Sequence, residues 1–438
     1  MIDYWMKLPF LLNVELMQLE EEGCDVAAYK TELAGLGEDT PQETLLALYD
    51  RLSKLRPSPG FPYIEPSDLE DIRQERAASA QVTTPVLSDD LVKDHILGAW
   101  LGRCAGCTLG KPVEGFTQAQ VETYLKAAGA YPLADYIPLL DPLPDGIQLH
   151  PSFVDTVRGR ISYMSRDDDT DYTIIGLHVL EKYGPNFTSE DVGETWQNVL
   201  PYNMVFTAER LAYRNLVNEL PVPQSAAFHN PFREWIGAQI RADAFAYAAA
   251  GRPRRAAELA YRDAVISHVK NGIYGEMLAA AMIARAFTTR DVTQIIQAGQ
   301  DEIPQKSRLA EAVRQVVAWK KDCPTWLDAF ARITQAYGKY FWVHTINNAA
   351  VVLISLLYGE GDLAKSISIS VMAGWDTDCN GATVGSILGA MLGAKALPQA
   401  WVSQFNDTMH SAVFGFDQTR ISDLAERSWK TYQAVTSA

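Results

Sequence analysis

Apolar positions recur at intervals of three and four along most of this chain, the period of helices with one buried face. Ser88-Asp89-Asp90 reads as a helix start, with a capping hydroxyl and carboxylates that offset the helix dipole. From there the pattern predicts helices over about 89–109, 118–128, 170–184, 189–198, 204–218, 231–249, 253–266 and 270–287. It continues over about 291–299, 307–321, 325–335, 345–358, 361–373, 381–393, 397–404 and 419–434. No run alternates apolar and polar residues convincingly, and no repeat of roughly 20–50 residues is visible. The expected fold class is therefore all-α. Residues 1–88 read as a helical extension of unassigned role. Leu11, Leu12, Val14, Leu16, Met17 and Leu19 keep a loose helical period, and further helices are expected over about 41–55 and 66–79. Between those two, Pro57-Ser58-Pro59-Gly60-Phe61-Pro62 cannot continue a helix. The expected division is 1–88 and 89–438.

Two of the expected helices carry glycine every fourth residue: Gly98, Gly102, Gly106 and Gly110, then Gly381, Gly385, Gly389 and Gly393. A glycine inside a helix costs about 1 kcal/mol relative to alanine, so each stripe needs a compensating gain. Spacing of four puts the glycines on one face, where another backbone can come close. The expectation is two central helices packed against each other, with their ends held rigidly.

The 38 Lys and Arg against 54 Asp and Glu leave a charge of −16, which argues against binding nucleic acid. Arg252-Pro253-Arg254-Arg255 is expected to be a loop. Five scattered cysteines fit a reducing cytosol better than a disulfide framework, and Asp3 stands where a secretory leader would want positive charge. The longest mostly apolar run, Ala349 to Tyr358, is shorter than the roughly 20 residues of a membrane span. A cytoplasmic protein with no membrane partner is expected.

Three clusters carry chemistry. Gly110-Lys111-Pro112-Val113-Glu114-Gly115 closes the first glycine stripe, and Gly374-Trp375-Asp376-Thr377-Asp378-Cys379-Asn380 precedes the second. Between them lies Arg166-Asp167-Asp168-Asp169-Thr170-Asp171, ahead of an apolar helix. The aspartate run reads either as a capped helix start or as a set of metal ligands. A single cap needs one carboxylate, and three adjacent ones repel each other unless a hard divalent cation joins them. Asp376 and Asp378 repeat the feature, which shifts the balance toward one or two Mg²⁺ or Mn²⁺ ions. Zinc is disfavoured, because Cys104 and Cys107 have no second pair and read as small buried thiols.

At these residues the chain resembles the ADP-ribosylglycohydrolase family, which includes the dinitrogenase-reductase-activating glycohydrolases. The family's Gly-rich helix ending in Leu-Gly-x-Pro-x-Glu is matched by Leu109-Gly110-Lys111-Pro112-Val113-Glu114. Its Thr/Ser-Asp-Asp-Thr motif is matched by Asp167-Asp168-Asp169-Thr170, and its Gly-Asp-Thr-Asp-Thr/Ser-Asn motif by Trp375-Asp376-Thr377-Asp378-Cys379-Asn380. The resemblance covers about residues 89–435. It implies a compact, orthogonal multi-helix catalytic domain with two Mg²⁺ or Mn²⁺ ions in a cleft. Asp168, Asp169, Asp376 and Asp378 would then be ligands. Asp167 and Cys379 would occupy two further ligand positions, each where the family has Thr or Ser, and Cys107 stands where it usually has Asp. Gly115 and Trp375 would border the substrate; Trp375 replaces a common glycine, and packing in the core is its alternative role. Ser267-His268 resembles a Thr-His pair near the ADP-ribose phosphates, and Tyr274 falls near an aromatic that packs on the ligand. His268 at a helix start could equally be structural. Arg241 would support the fold, and His344, Thr345, Asn347 and Asn348 read as capping and core polar groups.

The reaction implied is hydrolysis at C1 of a ribose. Glu114, outside both aspartate clusters and at the end of a rigid helix, is the candidate general acid/base. Three readings remain: release of ADP-ribose from a protein side chain, hydrolysis of a small ribosylated metabolite or other N- or O-glycoside, and a non-catalytic ADP-ribose binder.

Overall fold

The computed structural model describes residues 6–37, 39–77 and 86–437, so Asp3 and the end of the helix expected over 66–79 lie outside it. Helix follows helix, and the fold is all-α. The one sheet among the described residues is an antiparallel hairpin, Thr408–His410 with Gln418–Arg420, too short to leave an alternating signal. No helix is long and apolar enough to cross a membrane among these residues.

The centre of the molecule is a glycine seam between the helices Asp89–Gly110 and Thr377–Leu392. A Cβ placed on Gly98 would lie 2.5 Å from the Gly389 carbonyl oxygen, one on Gly102 2.1 Å from that of Gly385, and one on Gly106 1.8 Å from that of Gly381. The pairs run in opposite senses along the two helices, so the helices are antiparallel and their backbones touch. Dispersion across such a contact offsets the poor helix propensity of glycine. Gly393 departs from the expected stripe: it ends the second helix at φ +80°. Antiparallel packing sets the end of the first helix against the start of the second, and the Thr377 hydroxyl donates to the Gly110 carbonyl at 2.8 Å. Two clusters more than 260 residues apart in sequence thus meet.

Arg103, fully buried beside this seam, brings in the third. Its guanidinium donates to the Asp169 carbonyl at 2.7 and 3.0 Å and to the Asp169 carboxylate at 3.1 Å. It also reaches the Ile240 carbonyl at 2.6 Å and pairs with Asp243 at 2.7 Å. The start of the helix Asp168–Tyr183 is thereby tied to the first glycine helix.

The segment before residue 78 packs on the body of the protein through buried ion pairs. Arg233 meets Glu15 and Glu22, each at 2.8 Å, while Arg308 meets Glu65 at 2.8 Å and Glu234 at 2.7 Å. Leu11, Leu12, Leu48, Tyr49 and Leu52 are buried there and belong to the same continuous core.

Two local expectations are corrected. The helix expected over 253–266 is present as Pro253–Ala264, so residues 253–255 are not the loop also expected there; proline takes the first position, where a missing N–H costs nothing. The single helix expected over 231–249 is a 3₁₀ run, Ile236–Arg241, followed by a short helix, Asp243–Ala248. The Ile236 N–H donates to Val343 and the Thr345 N–H to Glu234, and these bonds compete with helical ones. The apolar residues there are buried on every side, so their spacing carried no period.

Candidate active site

A cavity of about 580 Å³ opens where the three clusters meet. Lys111, Glu114, Gly115, Asp167, Asp168, Asp376, Asp378 and Cys379 all line it. Glu114 follows the 3₁₀ turn Lys111–Val113, and the loops on either side are stitched together. The Gly115 N–H donates to the Trp375 carbonyl at 3.0 Å, and the Trp375 N–H to the Phe116 carbonyl at 2.7 Å. Gly374 and Trp375 both sit at positive φ, +80° and +67°. A Cβ on Gly374 would strike the Phe116 carbonyl oxygen at 2.6 Å, which requires glycine; Trp375 adopts a conformation that side chains adopt rarely.

Lys111 stands among the carboxylates. Its ammonium lies 2.8 Å from Asp167, 2.9 Å from Asp378 and 2.9 Å from Glu114. Asp167 caps its helix by accepting from the Asp169 N–H at 3.0 Å. The Cys107 thiol lies 3.8 Å from the Asp169 carboxylate, a contact within the site that the motif comparison left unassigned. Oxygens of Glu114, Asp376 and Asp378 fall within 4.8 Å of one another, as do ligand atoms of Asp169, Asp378 and Cys379. One oxygen of Asp378, Oδ1, is buried without a partner among the described residues.

Burial and mutual repulsion shape the electrostatics. Burial, then the charge of Asp378, pushes Glu114 up to about 8. Burial, then Asp167, pushes Asp168 up to about 7. Asp376 is driven well above the usual carboxylate range by burial and by Asp378. Asp167 goes the other way: burial alone would raise it, but the Lys111 ammonium holds it down to about 2. The lysine therefore satisfies one side of the cluster and leaves the other short of positive charge. Buried acidic oxygens crowded this closely are the donors a hard divalent cation takes, whereas the neutral thiols of Cys107 and Cys379, pushed up by burial, are poor partners for one.

Three residues assigned to substrate from the sequence are not on the lining of this cavity. Tyr274 is buried, and its hydroxyl donates to the Pro66 carbonyl, holding the N-terminal segment. His268 is fully buried, with Nδ1 2.8 Å from the Ser267 hydroxyl, which also accepts from Arg241. The Trp375 ring packs against Phe330, ring centres 5.2 Å apart. Asp169 lies beneath the cavity floor on Arg103. Tyr274→Phe should accordingly cost about 0.5–1.5 kcal/mol of stability, the loss of one hydrogen bond, and leave KM unchanged. A rise in KM without a change in melting temperature would return Tyr274 to the substrate.

The sequence assigned no role to Lys111, His150, Arg166, Arg210 or an aromatic wall of Phe206, Phe232, Trp235 and Trp342, all on the cavity. Lys111 could have been found, since it stands three residues before Glu114 and i,i+3 pairs of opposite charge interact. The wall comes from separate loops and carries no common spacing.

The ADP-ribosylglycohydrolase family model matches residues 88–437. Among solved structures, an ADP-ribosylglycohydrolase-related protein complex is similar, with 17% identity, 79% of this chain and 99% of that chain covered, and a TM-score of 0.48. No curated protein matches. The family model spans most of the chain and contains all three motifs that the glycine seam brings together: the chain belongs to the ADP-ribosylglycohydrolase family and is a glycoside hydrolase.

Proposed function

We propose that the cavity takes ADP-ribose attached to a protein side chain and, with Mg²⁺ or Mn²⁺ bound, hydrolyses the glycosidic bond at ribose C1 to release ADP-ribose. The observation that carries this reading is Glu114, a carboxyl on the cavity wall, 2.9 Å from Lys111, beside Asp376 and Asp378, and pushed up toward neutral pH by burial and by the charge of Asp378. Asp378, whose oxygens lie within 4.8 Å of ligand atoms of both Asp376 and Asp169, would hold the cation with those two; when bound, it supplies Lewis-acid polarisation and orients ribose hydroxyls. Glu114 passes its proton to the leaving atom and takes one back from water in the general acid/base role. Asp167, kept ionised by Lys111, faces the positive charge that builds on the ribose. Arg166 and Arg210 bring positive charge to the wall for the diphosphate, and the aromatic wall offers flat faces for the base and keeps water out.

The test is a panel of ADP-ribosylated arginine and serine peptides and small N- and O-ribosides, each with Mg²⁺, with Mn²⁺ and with a chelator. Free ADP-ribose should appear from at least one peptide linkage and stop on chelation. Asp378→Ala should keep its helical circular dichroism, lose metal binding in calorimetry and lose turnover. Full activity in chelator would overturn the metal assignment. Cleavage of small ribosides alone would move the substrate to a metabolite.

A further inference from the structure

We propose that the Lys111 ammonium is a built-in cation that fills one half of the carboxylate cluster, so that the site takes a single divalent ion on the other half. The inference rests on the metal-dependent reading above and adds the number of ions and the reason for it. An ammonium is a compact point charge with three donors. Here all three have a carboxylate within reach: Asp167 at 2.8 Å, Asp378 Oδ2 at 2.9 Å and Glu114 at 2.9 Å. The side chain is largely buried, so water screens these contacts little. A metal ion bridging the same three oxygens would have to displace the lysine.

The two oxygens of Asp378 divide the cluster. Oδ2 accepts from Lys111, whereas Oδ1 is buried and accepts from nothing among the described residues. Among the described residues Asp376 and Asp169 make no ion pair with the lysine, and ligand atoms of Asp169, Cys379 and Asp378 lie within 4.8 Å of one another. Asp169 already shares Arg103 with Asp243, which leaves Asp376 and the free oxygen of Asp378 in want of a cation on this side. One ion there completes the charge balance, and a second would meet the ammonium as a like charge a few ångströms away, an arrangement that is repulsive even when screened.

Native mass spectrometry and Mn²⁺ titration calorimetry on the full-length protein test this, with Lys111→Met as the variant. The parent should bind one Mn²⁺ per chain and give the six-line spin-resonance spectrum of an isolated ion. Lys111→Met should bind two and give the broadened spectrum of a coupled pair. Two ions in the parent, or one in both proteins, would overturn the lysine's role while leaving the metal-dependent reading intact. No ion in either would overturn both. Should Lys111→Met fail to fold, the parent's stoichiometry and spectrum decide alone, two coupled ions refuting the proposal and one isolated ion supporting it.

Discussion

Glu114→Gln should lower turnover by about 10²–10⁴-fold, the usual contribution of a positioned general acid/base. The substitution keeps the shape of the side chain and removes only its proton exchange. Lys111 keeps Asp167 and Asp378 as partners, so the cluster should stay assembled and metal binding should persist. Affinity for ADP-ribose should therefore change far less than kcat. The pH profile provides a second readout with a definite sign. The acid works protonated, so kcat/KM should fall as pH rises through the pKa of Glu114, which burial sets at about 8. A bound cation favours the ionised form and should move that descending limb to lower pH. In Glu114→Gln the limb should disappear. Equal turnover in parent and variant would remove Glu114 from the mechanism, and a parallel loss of binding and turnover would make it a substrate contact instead.

Gly106→Ala should destabilise the protein by about 1–3 kcal/mol or more, the range for forced overpacking. The added methyl would sit 1.8 Å from the Gly381 carbonyl oxygen and 2.2 Å from its carbon, and both belong to backbone that no rotamer change can move aside. The two helices must part, and Glu114 is carried on the end of one while Asp378 starts the other. Activity should fall along with the urea midpoint. Gly37→Ala is the control, because a Cβ there meets nothing within 4 Å among the described residues. Equal melting of Gly106→Ala and the parent would refute the seam as a backbone contact.

The all-α class was legible because helices of this length write their buried face into the chain at a period near 3.6. The glycine stripes were legible for the same reason: four-residue spacing collects Gly98, Gly102, Gly106 and Gly110 on one face, and only a close neighbour explains four costly residues in succession. The carboxylate clusters could be read because their members are adjacent in sequence, where repulsion between Asp167, Asp168 and Asp169 is a local fact. Where long-range contacts decide a conformation, that reading fails. Within residues 231–249 the 3₁₀ run Ile236–Arg241 replaces a helix start because Val343 and Thr345 bond the Ile236 N–H and the Glu234 carbonyl, and nothing near Ile236 announces them.

Side-chain direction was equally hidden. Tyr274 and Trp375 are aromatic in the right stretches of sequence, yet one points to Pro66 and the other to Phe330. Likewise the pattern set residues 1–88 apart as an extension, whereas Arg233 and Arg308 join that segment to the body by charges contributed from both sides. Local spacing along this chain determined which segments are helical, which face each helix buries and which residues carry charge in quantity. Tertiary packing decided that Lys111 stands among carboxylates from three separate segments, and that one oxygen of Asp378 is left over. The physical reason is that periodicity records only what neighbours in the chain share. The meeting of Lys111, Asp167 and Asp378 depends on two helices running antiparallel with their backbones in contact.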